Sequence, residues 1–240
     1  MKRGATPRSP TEDFEDKASI REGYDTYMSK FFDLLTVNFF GPIIMKSHRI
    51  LLGSLQRERN STILDVGCGT GTLLAVMAEE GYGDHLVGID ISRNMLINAK
   101  GKLAESGLKN RVDLVCADAE SLPFRSSSFS AITCTGVFRF FPGPATAFRE
   151  DYRVLRPGGR LAMREMAGPK IPSMIRHMPL PFKKGFVVWR LWPKQFIDNM
   201  LDEAGFVEIR IFGKEVIPHF VFALSPPFRQ YVFTAAEKPS

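Results

Sequence analysis

Asp65 opens the stretch Asp65-Val66-Gly67-Cys68-Gly69-Thr70-Gly71, directly after the apolar pair Ile63-Leu64. Three alternating glycines let the chain take φ > 0 and bring bare backbone against a ligand. Leu73, Leu74, Val76 and Met77 follow at helical spacing. A helix therefore starts just after the turn, and its free N–H groups favour an anionic group. The spacing is Asp-x-Gly-x-Gly-x-Gly, whereas a dinucleotide site has Gly-x-Gly-x-x-Gly; the third residue after Gly69 is Thr72. A carboxylate at Asp65 would repel a pyrophosphate. It suits a cationic adenosine derivative with a sulfonium and an ammonium, namely S-adenosylmethionine. The plainer alternative is a tight strand–helix turn with no ligand.

Two further carboxylates stand at comparable places. Asp90 ends the next expected strand, in Val-Gly-Ile-Asp-Ile-Ser, about one βαβ unit later, where an acidic residue can accept both ribose hydroxyls of an adenosine. Asp118, in Cys-Ala-Asp-Ala-Glu-Ser-Leu-Pro-Phe, can accept from an adenine amino group while the N–H of Ala119 donates to a ring nitrogen. A helix-start carboxylate and a surface-turn aspartate are the ordinary readings of these two. Three successive strand ends bearing acid favour the ligand. The cofactor-binding candidates are Asp65, Gly67, Cys68, Gly69, Gly71, Asp90, Ile91, Asp118, Ala119 and Thr135.

The elements that must position them alternate. Strands are expected at 62–66, 86–90, 112–116, 129–135, 160–166, 206–212 and 228–235. Helices are expected at about 71–80, from Ser92 as N-cap to 105, at 145–155 and at 193–204. Near-continuous apolar strands between helices mean a mostly parallel sheet covered on both faces, with ligands beyond the carboxyl ends of the strands. Upstream, residues 15–40 read as an aromatic-rich helix, broken by Gly41-Pro42, with a second helix to about residue 55. The expected organisation is a disordered tail at 1–12, a helical cap at 13–58 and an α/β, Rossmann-like domain at 59–240.

Of the 240 residues, Cys68, Cys116 and Cys134 are scattered, without disulfide or zinc spacing, which points to a reducing, cytoplasmic setting. The four histidines are isolated, so no metal site is expected. No secretory leader and no spanning apolar run is read. The net charge of +6 is concentrated in Lys170–Lys194, which carries six basic residues and no acidic one. Met174, Met178, Phe182, Phe186, Trp189 and Trp192 are interleaved there. A lid at 168–193 over a greasy or anionic acceptor, or a peripheral membrane contact through 170–194, fits this mixture better than nucleic acid.

The stretches Ile63–Gly71, Gly88–Ser92, Ala117–Phe124 and Tyr152–Gly159 resemble class I S-adenosylmethionine-dependent methyltransferases. Within that class they resemble the ubiquinone/menaquinone biosynthesis C-methyltransferase type (methyltransferase type 11) and its small-molecule relatives. The resemblance covers about residues 20–167. It implies a seven-stranded sheet with the last strand antiparallel. It also implies Asp65 and the glycines around the methionine part, Asp90 at the ribose, and Asp118 with Ala119 at the adenine. The chain departs at Phe129-Ser130, where the family has Phe-Asp, and at Val137-Phe138-Arg139-Phe140, which keeps only the arginine of the quinone enzymes' Gly-Leu-Arg-Asn.

Methyl transfer from a sulfonium is an in-line displacement, so alignment and water exclusion carry most of the work. A base is needed only where the acceptor must lose a proton. Arg139, Glu165 and Tyr24 are the candidates near the strand ends. The expected function is methyl transfer to a small, lipophilic acceptor. The alternatives are a catalytically inactive S-adenosylmethionine-binding partner or membrane-docked scaffold and, more remotely, an NAD-dependent oxidoreductase.

Overall fold

The computed structural model describes residues 17–34, 41–55, 57, 60–141, 144–166, 176–177, 188–189, 194–216 and 230–240. The expected tail lies outside them, and of the expected lid only two short strands are described.

Strands β1 (Thr62–Val66), β2 (His85–Asp90), β3 (Val112–Cys116), β4 (Phe129–Thr135) and β5 (Leu155–Met166) are joined through α4 (Thr72–Glu79), α5 (Arg93–Glu105) and α6 (Ala145–Val154). The chain continues through a two-residue ribbon, β6 (Arg176–His177) with β7 (Val188–Trp189), into α7 (Lys194–Glu203), β8 (Val207–Val216) and β9 (Gln230–Glu237). The sheet order is β3-β2-β1-β4-β5-β9-β8, with β9 antiparallel to both neighbours. The mostly parallel Rossmann-like sheet is therefore present with its antiparallel last strand. Order reverses between β1 and β4, which pair directly, and a ligand site belongs beyond that point.

The central strands β1 and β4 bury both faces. Leu64, Val66, Ile132 and Cys134 face α6 and α7 through Phe148, Val154 and Leu201. Ile63 and Ala131 face the other side, against α3 (Gly41–Leu52), α4 and α5 through Leu51, Leu74 and Leu103. Alternation along β1 and β4 therefore sends Asp65 and Thr133 to the α3–α4 face.

Several boundaries differ from the sequence reading. Extended pairing begins at Leu155, where residue 160 is expected, because Leu155 pairs with Phe129 before the glycine turn. That turn is stitched to the chain's end: Gly158 N–H donates to the Lys238 carbonyl at 2.9 Å and Lys238 N–H to the Gly159 carbonyl at 3.0 Å. Lys238 Nζ donates to the carbonyls of Tyr152 and Leu155, serving the open C-terminus of α6. The first helix is α1 (Lys17–Gly23), a π-turn at Tyr24–Met28 and α2 (Ser29–Asp33) in one run. Its expected continuation to residue 40 lies outside the described residues.

One core position breaks the apolar rule. Asp151 of α6 is fully buried, and neither carboxylate oxygen has a hydrogen-bond partner among the described residues. Burial, and then the neighbouring Glu150, pushes its pKa well above the carboxylate range, so the group is held as the neutral acid. Asp151→Ala removes an unpaired buried polar group and gains helix propensity. It is expected to stabilise the fold by about 1–3 kcal/mol, read as a rise in Tm of roughly 2–4 °C per kcal/mol. A lower Tm would show that the carboxyl is satisfied in solution.

Candidate functional site

A cleft of about 830 Å³, mouth included, opens at the carboxyl ends of β1 to β4. Gly67 and Gly69 come from the turn after β1, Ile89, Asp90 and Ile91 from the end of β2, and Ala117, Asp118 and Ala119 from the end of β3. Thr135, Gly136 and Val137 come from the end of β4, Phe140 and Phe141 from the 3-10 turn Phe138–Phe140 and its end, and Met95 from α5. Lys17 and Tyr24 close it from the N-terminal cap. Seven of the ten cofactor candidates thus meet in one cleft: Gly67, Gly69, Asp90, Ile91, Asp118, Ala119 and Thr135.

The other three do not line it, and each has a physical reason. Asp65 is 2% exposed on the α3–α4 face, where its Oδ1 accepts from Thr133 Oγ1 at 2.7 Å. Burial pushes its pKa up to about 7; Asp90 adds to the shift, while the Thr133 hydroxyl and Arg164 pull against it. Cys68 turns toward β2, where a Cβ on Gly88 would come within 2.9 Å of its Sγ. Gly71 supports close packing against α5: a Cβ there would meet that of Ala99 at 3.1 Å. These three shape the turn from behind.

The turn itself is held by the next strand. Cys68 N–H donates to the Ile89 carbonyl at 2.8 Å, and Gly69 N–H to Asp90 Oδ2 at 2.9 Å. Asp90 Oδ1 accepts from Ser92 N–H at 2.8 Å. Burial raises the Asp90 pKa to about 6, the Ser92 and Gly69 N–H groups restrain it, and Asp25 adds to it. At Gly69 (φ +55°) nothing stands within 4 Å of where a Cβ would be, so the backbone there is open to a ligand.

Asp118 sits in a tight turn, its Oδ1 accepting from Glu120 N–H at 2.9 Å and its Oδ2 from Lys17 Nζ at 2.5 Å. The loop that follows is held by α6. Glu150 accepts from Leu122 N–H and from Arg153, and Arg153 donates onward to the carbonyls of Phe124 and Leu122. The stretches Ala117–Phe124 and Tyr152–Gly159 therefore meet in space.

The cap is pinned across the cleft by polar side chains. Asp25 Oδ1 accepts from Ser92 Oγ at 2.5 Å and from Asn94 N–H at 3.1 Å. The Ser29 carbonyl accepts from Asn98 Nδ2 at 2.6 Å, and Asp33 accepts from Thr70 Oγ1 at 2.6 Å and pairs with Lys102 at 2.9 Å. Tyr24 stands edge-on to Phe140 at 5.3 Å.

Of the three catalytic candidates, Tyr24 lines the cleft. Glu165 is not among the lining residues; its Oε1 accepts from Phe138 N–H at 3.0 Å and so fixes the 3-10 turn that carries Phe140. Arg139 lies in that turn, its side chain outside what is described. Lys17, Met95, Phe140 and Phe141 are lining residues that the sequence reading did not select. Phe140 ends the noted Val137–Phe140 stretch and Phe141 follows it, whereas Lys17 and Met95 carry no local signal.

The residues present fit an adenosine donor with a cationic tail. The glycine backbone is open at Gly69, carboxylates from the ends of β2 and β3 line the same cleft, and the buried Asp65 carboxyl lies behind the turn. A methyltransferase domain model matches residues 64–163. Demethylmenaquinone methyltransferase from Listeria monocytogenes serotype 4a is 40% identical over 117 residues, 48% of this chain and 49% of its own length. The match thus spans about half of that relative. Ubiquinone/menaquinone biosynthesis C-methyltransferase UbiE from Geotalea daltonii is 32% identical over 165 residues, 68% of this chain and 69% of that protein. Geranyl diphosphate C-methyltransferase from Streptomyces coelicolor A3(2) shares the fold, with a TM-score of 0.67 at 17% identity over 82% of this chain and 81% of that one.

Proposed function

The chain belongs to the class I S-adenosylmethionine-dependent methyltransferases of the ubiquinone/menaquinone biosynthesis C-methyltransferase type, and from that premise we propose that it transfers a methyl group to a small, lipophilic acceptor. The observation that carries this reading is the convergence of the open glycine turn, Asp90, Asp118 and an aromatic wall on one cleft at the point where strand order reverses.

Bound S-adenosylmethionine supplies a methyl already activated on a sulfonium. The protein's share is placement. Asp90 accepts from the ribose hydroxyls and Asp118 from the adenine amino group. Asp65, ionised, offers negative charge behind the turn to the cationic methionine part. Tyr24, Val137, Phe140 and Phe141 exclude water and present an apolar side to the acceptor. Glu165 acts as a positioning residue through the Phe138 N–H. The basic and aromatic segment 170–194 is the part of this proposal that rests on sequence alone, as a lid or a membrane-surface contact.

Transfer of labelled methyl to demethylmenaquinone and to other prenylated or aromatic acceptors tests the reading. Transfer to at least one lipophilic acceptor is expected. Donor binding with no transfer across the panel would favour the inactive binding protein, and transfer confined to hydrophilic acceptors would refute the lipophilic assignment.

The two raised carboxyls give the donor site a pH dependence. Each holds a proton in the folded protein that the unfolded chain releases above its ordinary pKa near 3.8. For these groups alone, folded-state stability falls as pH rises from about 4 through 7. A cationic donor favours their ionised forms, so its affinity is expected to climb over the same window and level off above about pH 7.5. Between about pH 7 and 6 the loss should approach tenfold per unit, and below pH 6, where both carboxyls are protonated, it should steepen beyond tenfold per unit. Titration of S-adenosylmethionine by calorimetry between pH 5.5 and 8 reads this directly, and a flat profile would show that neither carboxyl ionises on binding.

A further inference from the structure

Lys17 is the first residue of α1 and, Tyr24 apart, is far in sequence from the other lining residues of the cleft. Its ammonium pairs with Asp118 Oδ2 at 2.5 Å and also with Glu120. The second oxygen of Asp118 is committed to Glu120 N–H at 2.9 Å. The oxygen that no backbone N–H holds is the one on which Lys17 sits. The side chains of Lys17 and Asp118 are 38% and 32% exposed, so the pair is partly solvated and of the weak kind that a better-placed donor can replace.

We propose that Lys17 is a specificity-determining residue of the donor site: its ammonium holds Asp118 in the free protein, and a purine with a 6-amino group, itself a hydrogen-bond donor, takes its place there. The inference rests on the assignment of Asp118 to the adenine amino group. A 6-oxo purine presents an acceptor at the same position. That oxygen cannot replace an ammonium on a carboxylate and is held through Lys17, which stays where it is. The ammonium thus works against the 6-amino ligand, which must displace it, and for the 6-oxo ligand, which it bridges to Asp118. Letting go of Lys17 does not free the cap, because Asp25, Ser29 and Asp33 tie it to Ser92, Asn94, Asn98, Thr70 and Lys102, away from Asp118.

The test uses the full chain and calorimetric titration with S-adenosylhomocysteine and its 6-oxo counterpart, S-inosylhomocysteine. Lys17→Met keeps the apolar stem and removes the charge. It is expected to bind S-adenosylhomocysteine about two- to fivefold more tightly than the unmodified chain and S-inosylhomocysteine more weakly, so that preference for the 6-amino ligand rises. Weaker or unchanged S-adenosylhomocysteine binding, or a preference that does not rise, overturns the proposal. Asp118→Ala separates the two layers. It should weaken S-adenosylhomocysteine by about tenfold. If it does not, Asp118 does not read the base and the underlying assignment fails; if it does while Lys17→Met fails to tighten, only the role given to Lys17 is lost.

Discussion

Replacing Asp90 with alanine should lower donor affinity by at least a hundredfold, the largest binding loss of any single change in the cleft. Two effects combine. The carboxylate is the acceptor for two ribose hydroxyls, and hydrogen bonds to a charged group are worth about 1.5–3 kcal/mol each. It also accepts from Gly69 N–H and Ser92 N–H, at 2.9 and 2.8 Å. Without it the glycine turn loses its tie to the end of β2 and the start of α5 loses a partner. Asp90→Asn separates these effects, since its single carbonyl oxygen keeps at most one of the two backbone contacts and the charge is gone. It should stay folded, with a Tm near that of the parent chain, and lose roughly ten- to a hundredfold in affinity. Calorimetry with S-adenosylhomocysteine, alongside thermal melts, checks both variants. An alanine variant that binds within threefold of the parent would remove Asp90 from the donor site.

Gly67→Ala is expected to have the largest effect on stability. Gly67 takes φ +67°, which costs a residue with a side chain about 1–2 kcal/mol. A Cβ there would lie 2.2 Å from Val137 Cγ2 and 3.0 Å from Cγ1. The two loops cannot separate cheaply, because Val137 directly precedes, as N-cap, the 3-10 turn that Glu165 fixes through Phe138 N–H. Overpacking of this kind adds about 1–3 kcal/mol. The total corresponds to a fall in Tm of about 10 °C for a chain of this size. The double variant Gly67→Ala with Val137→Ala should recover the overlap part and keep the backbone part, so the two substitutions couple by at least about 1 kcal/mol. A single variant that melts with the parent chain, or a pair that is merely additive, would mean that the turn after β1 and the turn after β4 do not touch as described.

The strand-end acids were legible because their signal is local: an apolar run, an acid and a turn recur within a few residues at Asp65, Asp90 and Asp118. The same local signal does not separate Asp65, Cys68 and Gly71, which stand behind the turn, from the residues that line the cleft. Strand alternation sends Asp65 to the face of Ile63, and only the packing of Gly88 and Ala99 shows where Cys68 and Gly71 turn. The cap was legible as a helix and as a source of Tyr24. Its grip on the cleft was not, because Lys17, Asp25 and Asp33 find their partners 37 to 101 residues away. Nothing in spacing announces such pairs. Asp151 is hidden from a local reading for a related reason: an acid in an amphipathic helix normally faces water, whereas this one shares the buried face of α6 with Ala147, Phe148 and Val154.

Titration of the unmodified chain with S-adenosylmethionine at pH 7.5, with NAD as the competing ligand, bears most directly on the donor cleft. One molecule bound per chain, a rise in Tm on binding, displacement by S-adenosylhomocysteine and no response to NAD are expected. Absence of both heat and a Tm shift at millimolar S-adenosylmethionine, or saturable binding of NAD in its place, would contradict the assignment of the cleft.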